Sequence, residues 1–122
     1  MMGAQGEAPR ALVVDDEPPI LMIMRFALET AGFEVITAGN GAEAWELFKS
    51  GSFDLVVLDL RIPVVSGLTI AERIRAVSDV PIMMITALSE ETDRVRGLET
   101  GADDYVTKPF STQQLVEKVK SL

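Results

Sequence analysis

No cysteine and no histidine occur in this chain of 122 residues. The first absence excludes disulfides and thiolate-held metals. The second removes the usual general base and the commonest transition-metal ligand. Any metal must therefore be a hard cation held by oxygen. No apolar stretch approaches the roughly 20 residues that span a bilayer, so no membrane segment is expected. Met1 to Arg10 lack the apolar centre of a secretory signal and read as a disordered tail, which makes a cytoplasmic chain the expectation. Basic residues are few: 11 Lys and Arg against 19 Asp and Glu leave a formal net charge of −8. Such a surface is repelled by a phosphate backbone, so nucleic acid is not an expected partner of these residues.

The chain does carry alternation. Leu12-Val13-Val14 is a short apolar run ended by Asp15-Asp16, and Ile20, Ile23, Met24, Ala27 and Ala31 then recur at helical spacing up to Gly32. Pro18 and Pro19 suit the first turn of that helix, where a missing N–H costs little. The cycle repeats: Phe33 to Ala38 is strand-like, and Ala44, Leu47 and Phe48 form a helical face closed by Gly51. Leu55 to Leu58 is apolar on both faces, as the centre of a covered parallel sheet requires. Ile70, Ile74 and Val77 mark a third helix, Ile82 to Ile85 a fourth strand, and Glu90 to Thr100 a fourth helix. Asp104 to Val106 is a fifth strand, and Leu115, Val119 and Leu122 open a fifth helix that the chain end is expected to truncate. Strict alternation of this kind implies one α/β domain over residues 11–122, with a parallel sheet and right-handed crossovers.

In a parallel sheet all strand carboxyl ends share one edge, and ligands bind there. Asp15-Asp16, Asp59, Thr86 and Lys108 each fall at such an end. Singly, each has a plain structural reading: a cap or turn for the Asp, a strand residue for Thr86, a solvated amine for Lys108. Jointly they gather three carboxylates whose repulsion needs an offset, from Lys108 and from a divalent ion. Mg2+, which keeps several waters, suits so few ligands better than Ca2+.

Four segments carry a resemblance: Val-Val-Asp-Asp-Glu (13–17), Leu-Asp-Leu-Arg-Ile-Pro-Val-Val-Ser-Gly (58–67), Ile-Thr-Ala (85–87) and Tyr-Val-Thr-Lys-Pro-Phe (105–110). Together they resemble the receiver domain of two-component response regulators, and Gly97 to Tyr105 is similar to the winged-helix transcription-factor subfamily (OmpR/PhoB type). The resemblance implies a flavodoxin-like, CheY-like three-layer sandwich with strand order 2-1-3-4-5. It implies Asp59 as phosphoacceptor from a sensor histidine kinase, with Lys108 and Thr86 contacting the phosphoryl oxygens. Mg2+ would be held by Asp16, Asp59 and the Arg61 backbone carbonyl, with Asp15 acting through water. Thr86 and Tyr105 would form the switch, and Lys108-Pro109 a cis peptide. On activation a homodimer would form through helix 4, strand 5 and helix 5, pairing Asp104 with Lys118 and Glu99 with Lys120. Arg94 would face Gln114, where an acid is lost.

Three other readings compete. A haloacid-dehalogenase-type phosphatase needs a second acid two residues after the nucleophile, and Arg61 stands there. A single-domain receiver would signal by binding a protein partner. A degenerate scaffold would lack part of the site, whereas every expected residue is present.

Overall fold

The computed structural model describes residues 8–87 and 101–122. The expected fourth helix, with Arg94 and Glu99 on it, lies outside the described residues. Five strands form a single parallel sheet: β1 (Arg10–Val14), β2 (Glu34–Ala38), β3 (Leu55–Asp59), β4 (Ile82–Ala87) and β5 (Asp104–Lys108), in spatial order β2-β1-β3-β4-β5. Four helices are described: α1 (Pro18–Thr30), α2 (Gly41–Ser50), α3 (Gly67–Val77) and a C-terminal helix (Thr112–Lys120). No described helix is long and apolar enough to cross a membrane.

β3 is buried along its whole length, which explains its unbroken apolar run. Alternate residues feed two separate cores. Leu12, Val14, Val56, Leu58, Ile82 and Met84 pack with α2 and α3, through Ala44, Ile70 and Ile74. Ala11, Val13, Val57, Met83, Ile85 and Val106 pack against α1 and the C-terminal helix, through Met24, Leu28, Leu115 and Val119.

Several expectations shift in detail. β1 opens at Arg10, the residue expected to end the tail, because its amide donates to Asp54 Oδ2 at 2.8 Å and its guanidinium to the Ser52 carbonyl at 3.0 Å. The buried stripe of α1 is Met24, Ala27 and Leu28, and Ile23 is turned outward with Met22 and Phe26. Val77 ends α3 on the exposed side, at 70% exposure. Leu122 falls beyond the C-terminal helix, which Ser121 caps.

Arg75, near the end of α3, ties distant backbone together. Its guanidinium donates to the carbonyls of Gly101 at 2.7 Å, Val80 at 2.8 Å and Ser78 at 3.2 Å, and to Asp103 Oδ2 at 3.0 Å. Asp103 Oδ2 also accepts from the Ile82 amide at 2.8 Å, so the starts of β4 and β5 are fastened to α3. Removing the guanidinium strands partly buried carbonyls. We expect Arg75→Met to destabilise by about 2–3 kcal/mol in urea unfolding. Arg25→Ala, which breaks only an exposed pair with Glu29, should cost less than about 0.5 kcal/mol.

Candidate functional site

The strand register brings the polar ends together. Val14 lies beside Leu58, Asp59 beside Ile85, Thr86 beside Thr107, and Ala87 beside Lys108. Asp15, Asp59 and Thr86 are the buried polar residues among those described, at 0%, 4% and 2% exposure. Lys108 reaches back over the edge, and its ammonium lies 2.9 Å from Asp59 Oδ2, 3.0 Å from Asp15 Oδ2 and 3.2 Å from Glu17 Oε2. The Lys108–Pro109 peptide is cis. The other Asp59 oxygen, Oδ1, accepts from the Arg61 amide at 3.0 Å.

One glycine-dependent approach shapes the neighbourhood of Asp59. A Cβ on Gly67 would overlap the Asp59 carbonyl oxygen and sit 2.6 Å from Leu60 Cα. With that space free, the Gly67 amide donates to the Leu60 carbonyl at 3.1 Å and Ser66 caps α3. The chain between them borders an open cleft of about 620 Å³ lined by Asp16, Arg61, Ile62, Pro63 and Ser66 among others.

Glu17 was not expected in the site. It stands at the N-cap of α1 yet makes no side-chain cap, because its carboxylate turns to Lys108 instead. The available signal was its place directly after Asp15-Asp16 with Pro18 behind it, which leaves an acid at the helix mouth.

Carboxylate oxygens of Asp15, Asp16 and Glu17 can lie within 4.8 Å of one another. Asp15 Oδ1 accepts from the Glu17 amide at 2.9 Å, whereas its buried Oδ2 accepts no aligned hydrogen bond despite the nearby ammonium. A buried orphan oxygen among hard donors fits an oxygen-seeking divalent cation.

The expected switch and surface residues fall as follows. Tyr105 is half-buried on the side of the sheet covered by α2 and α3, and the Lys118 ammonium lies 5.1 Å from its ring centroid. Lys118 pairs with Asp104 of its own chain at 3.4 Å. The Gln114 amide is engaged by the Ser111 cap at 3.0 Å, and Lys120 is exposed.

A parallel sheet with acids and one lysine gathered at its carboxyl edge defines a class of phosphate-handling switch domains. The chain belongs to the response regulator receiver domain family, whose description matches residues 11–120. It is 47% identical over 118 residues to the probable transcriptional regulator ycf27 of Porphyra purpurea, covering 97% of this chain and 49% of that protein. It is 44% identical over 111 residues to the transcriptional regulatory protein SrrA of Staphylococcus aureus, covering 91% of this chain and 46% of that protein. The chain thus spans about half the length of these curated relatives. Among solved structures, the response regulator TrrA of Thermotoga maritima in complex with Mg(2+)-BeF superposes with a TM-score of 0.83 at 43% identity, covering 93% of this chain and 97% of that one. The fold is flavodoxin-like, of the CheY type. Receiver domains of this family are phosphoacceptor switches that take phosphoryl groups from histidine kinases.

Burial raises the Asp15 carboxyl from 3.8 to about 6, against the opposing pull of the Glu17 amide and Lys108. Burial would lower the Lys108 ammonium, but its hydrogen bond to Asp59 and the close negative charges of Asp59 and Asp15 outweigh it and hold the ammonium above its ordinary range. For Asp15 the folded state binds the proton more tightly than the unfolded chain does. Its contribution to stability is therefore complete below about 3.8 and lost as pH rises through about 6. In metal-free protein we expect Asp15→Asn to stabilise by on the order of 2 kcal/mol near neutral pH, and far less at about pH 4. Thermal melts of both proteins across that range check this.

Proposed function

We propose that Asp59 is the phosphoacceptor, that Mg2+ supports the transfer, and that the phosphorylated state pairs through the face carrying β5 and the C-terminal helix. The observation that carries the reading is the buried Asp59 carboxylate held 2.9 Å from the Lys108 ammonium, beside the acidic group of Asp15, Asp16 and Glu17.

Asp16, Asp59 and the Arg61 carbonyl would hold Mg2+, with Asp15 acting through water. When bound, the ion supplies positive charge against the phosphoryl oxygens. An Asp59 oxygen attacks phosphorus, the bond from phosphorus to the donor's histidine nitrogen breaks, and that nitrogen keeps the electron pair. No general base is needed, since a carboxylate nucleophile has no proton to give up on attack. Transfer then depends on positioning and charge neutralisation, which Lys108 provides from its present place. Thr86 would donate its hydroxyl to a phosphoryl oxygen, and Tyr105 would follow into the space released. Ile20 and the exposed Ile23 of α1 line an opening with Glu17, Lys108, Pro109 and Phe110, where a kinase bringing phosphohistidine would dock.

The relatives' names support a transcriptional output in the full-length protein, and a cytoplasmic location goes with that reading. A reading frame with a helix-turn-helix segment beyond residue 122 would separate this from a single-domain receiver.

Incubation with Mg2+ and acetyl phosphate should add one phosphoryl group by intact mass, labile to hydroxylamine as an acyl phosphate. Asp59→Asn should show no addition, and equal modification of that variant would refute the assignment. For the dimer face, sedimentation should show stronger self-association with beryllofluoride and Mg2+ than without. Asp104→Arg should suppress that gain by removing the acid that meets Lys118. Association indifferent to both changes would place the output face elsewhere.

A further inference from the structure

We propose that Gly41, the first residue of α2, is a positioning residue for the loop that carries the Arg61 carbonyl toward the cation. The inference rests on the metal-binding reading above. The inner end of that loop is fixed near the sheet: the Leu60 amide donates to the Ile85 carbonyl at 3.2 Å and the Arg61 amide to Asp59 Oδ1 at 3.0 Å. Its outer end has one contact of a different kind. The Pro63 carbonyl accepts from the Val65 amide at 3.0 Å and from the Gly41 amide at 3.2 Å. The first of these bonds closes a γ-turn whose central residue, Val64, sits at φ 74°. A γ-turn of that hand is the rare, strained kind, and a β-branched residue suits it poorly. Val64 is 77% exposed, so packing of its own side chain does not hold it there. Such a conformation persists only where the surroundings over-determine it.

Gly41 supplies that determination. A Cβ at Gly41 would overlap the Val65 carbonyl oxygen and lie 2.7 Å from its carbon and 2.9 Å from Val65 Cβ. The backbone of α2 thus abuts the backbone of the turn, with an amide hydrogen bond across the contact. The stop is rigid. Asn40 Oδ1 accepts from the Glu43 amide at 2.8 Å, and Glu43 Oε1 accepts from the Gly39 amide at 2.8 Å, a reciprocal cap. Further along α2, Trp45 stacks on Phe48 and Phe48 on Phe53, each pair 6.2 Å apart, with Arg73 over Trp45 and Arg10 over Phe53. This column spans β1, α2 and α3 and resists any retreat of the helix. Between the fixed inner end and the stop at Gly41, the Arg61–Pro63 segment has one place to lie, on the wall of the cleft that Asp16 shares.

Mg2+ titration without phosphodonor, followed by the fluorescence of Trp45, the one tryptophan in the chain, tests this. Wild type should bind, and Gly41→Ala should bind roughly tenfold more weakly. Gly39→Ala is the control, since a Cβ there meets only the end of the Glu43 side chain at 3.9 Å, and its affinity should be unchanged. With acetyl phosphate, Gly41→Ala should need more Mg2+ for half-maximal rate yet reach the wild-type plateau. A Gly41→Ala protein with a lowered melting temperature and unaltered Mg2+ affinity overturns the proposal. If that variant does not fold, glycine-selective amide NMR of wild type decides. The Gly41 amide should move along the Mg2+ binding curve, and an amide that stays put while the protein binds Mg2+ overturns the inference. A wild-type protein that binds no Mg2+ refutes the metal-site reading itself.

Discussion

One ammonium holds the carboxyl edge of the sheet together. Lys108 lies within 3.2 Å of oxygens from Asp59, Asp15 and Glu17, so a single side chain ties the ends of β1, β3 and β5 and the start of α1. Like charges about 4 Å apart repel by about 4 kcal/mol at an effective dielectric of about 20, and one Lys offsets only part of that among four neighbouring acids, Asp16 included. The raised Asp15 carboxyl records the imbalance, with burial as its main cause. The same excess of negative charge makes the edge receptive to a divalent cation. An edge so rich in carboxylates therefore carries a cost, and the fold bears it because the layers beneath are apolar and closed.

The pleat divides the labour. Asp15, Asp59 and Lys108 continue the parity of Val13, Val57 and Val106, which faces α1 and the C-terminal helix. Thr86 and Tyr105 continue the parity of Met84 and Leu58, which faces α2 and α3. Charged chemistry and the buried hydroxyl thus approach the same edge from opposite faces of one sheet. The switch movement of Thr86 proposed above would draw on space in the core that faces α2 and α3, where Tyr105 already packs, on the side of the sheet away from the ion pairs.

How much of this the residue order discloses depends on the kind of contact. The sheet and the convergence of Asp15, Asp16, Asp59 and Lys108 were legible, because alternation fixes which elements are strands and parallel strands share an edge. Glu17 was not, since an acid at a helix start reads as a cap until its rotamer is known. Ile23 and Val77 matched the helical period but sit at the margins of their stripes, and a period alone does not locate the centre of a buried face. Arg75 spans 26 residues to Gly101, a separation that leaves no periodic trace. The γ-turn at Val64 ran against local preference, since a glycine or asparagine is what that backbone favours.

Lys118 shows why charge pairs on the surface cannot by themselves drive association. The residue that would meet Asp104 across a dimer axis already meets Asp104 within its own chain, at 3.4 Å, while lying over the Tyr105 ring. Exchanging one pair for another of the same kind changes little, since each exposed pair is worth about 0–1 kcal/mol. The cation–π contact is different, because it exists only while the ring stays where it is. Any gain in association on phosphorylation must then come from the position of Tyr105 and the apolar surface around it. On the proposed dimer, the charges would set which surfaces meet and the ring would decide when.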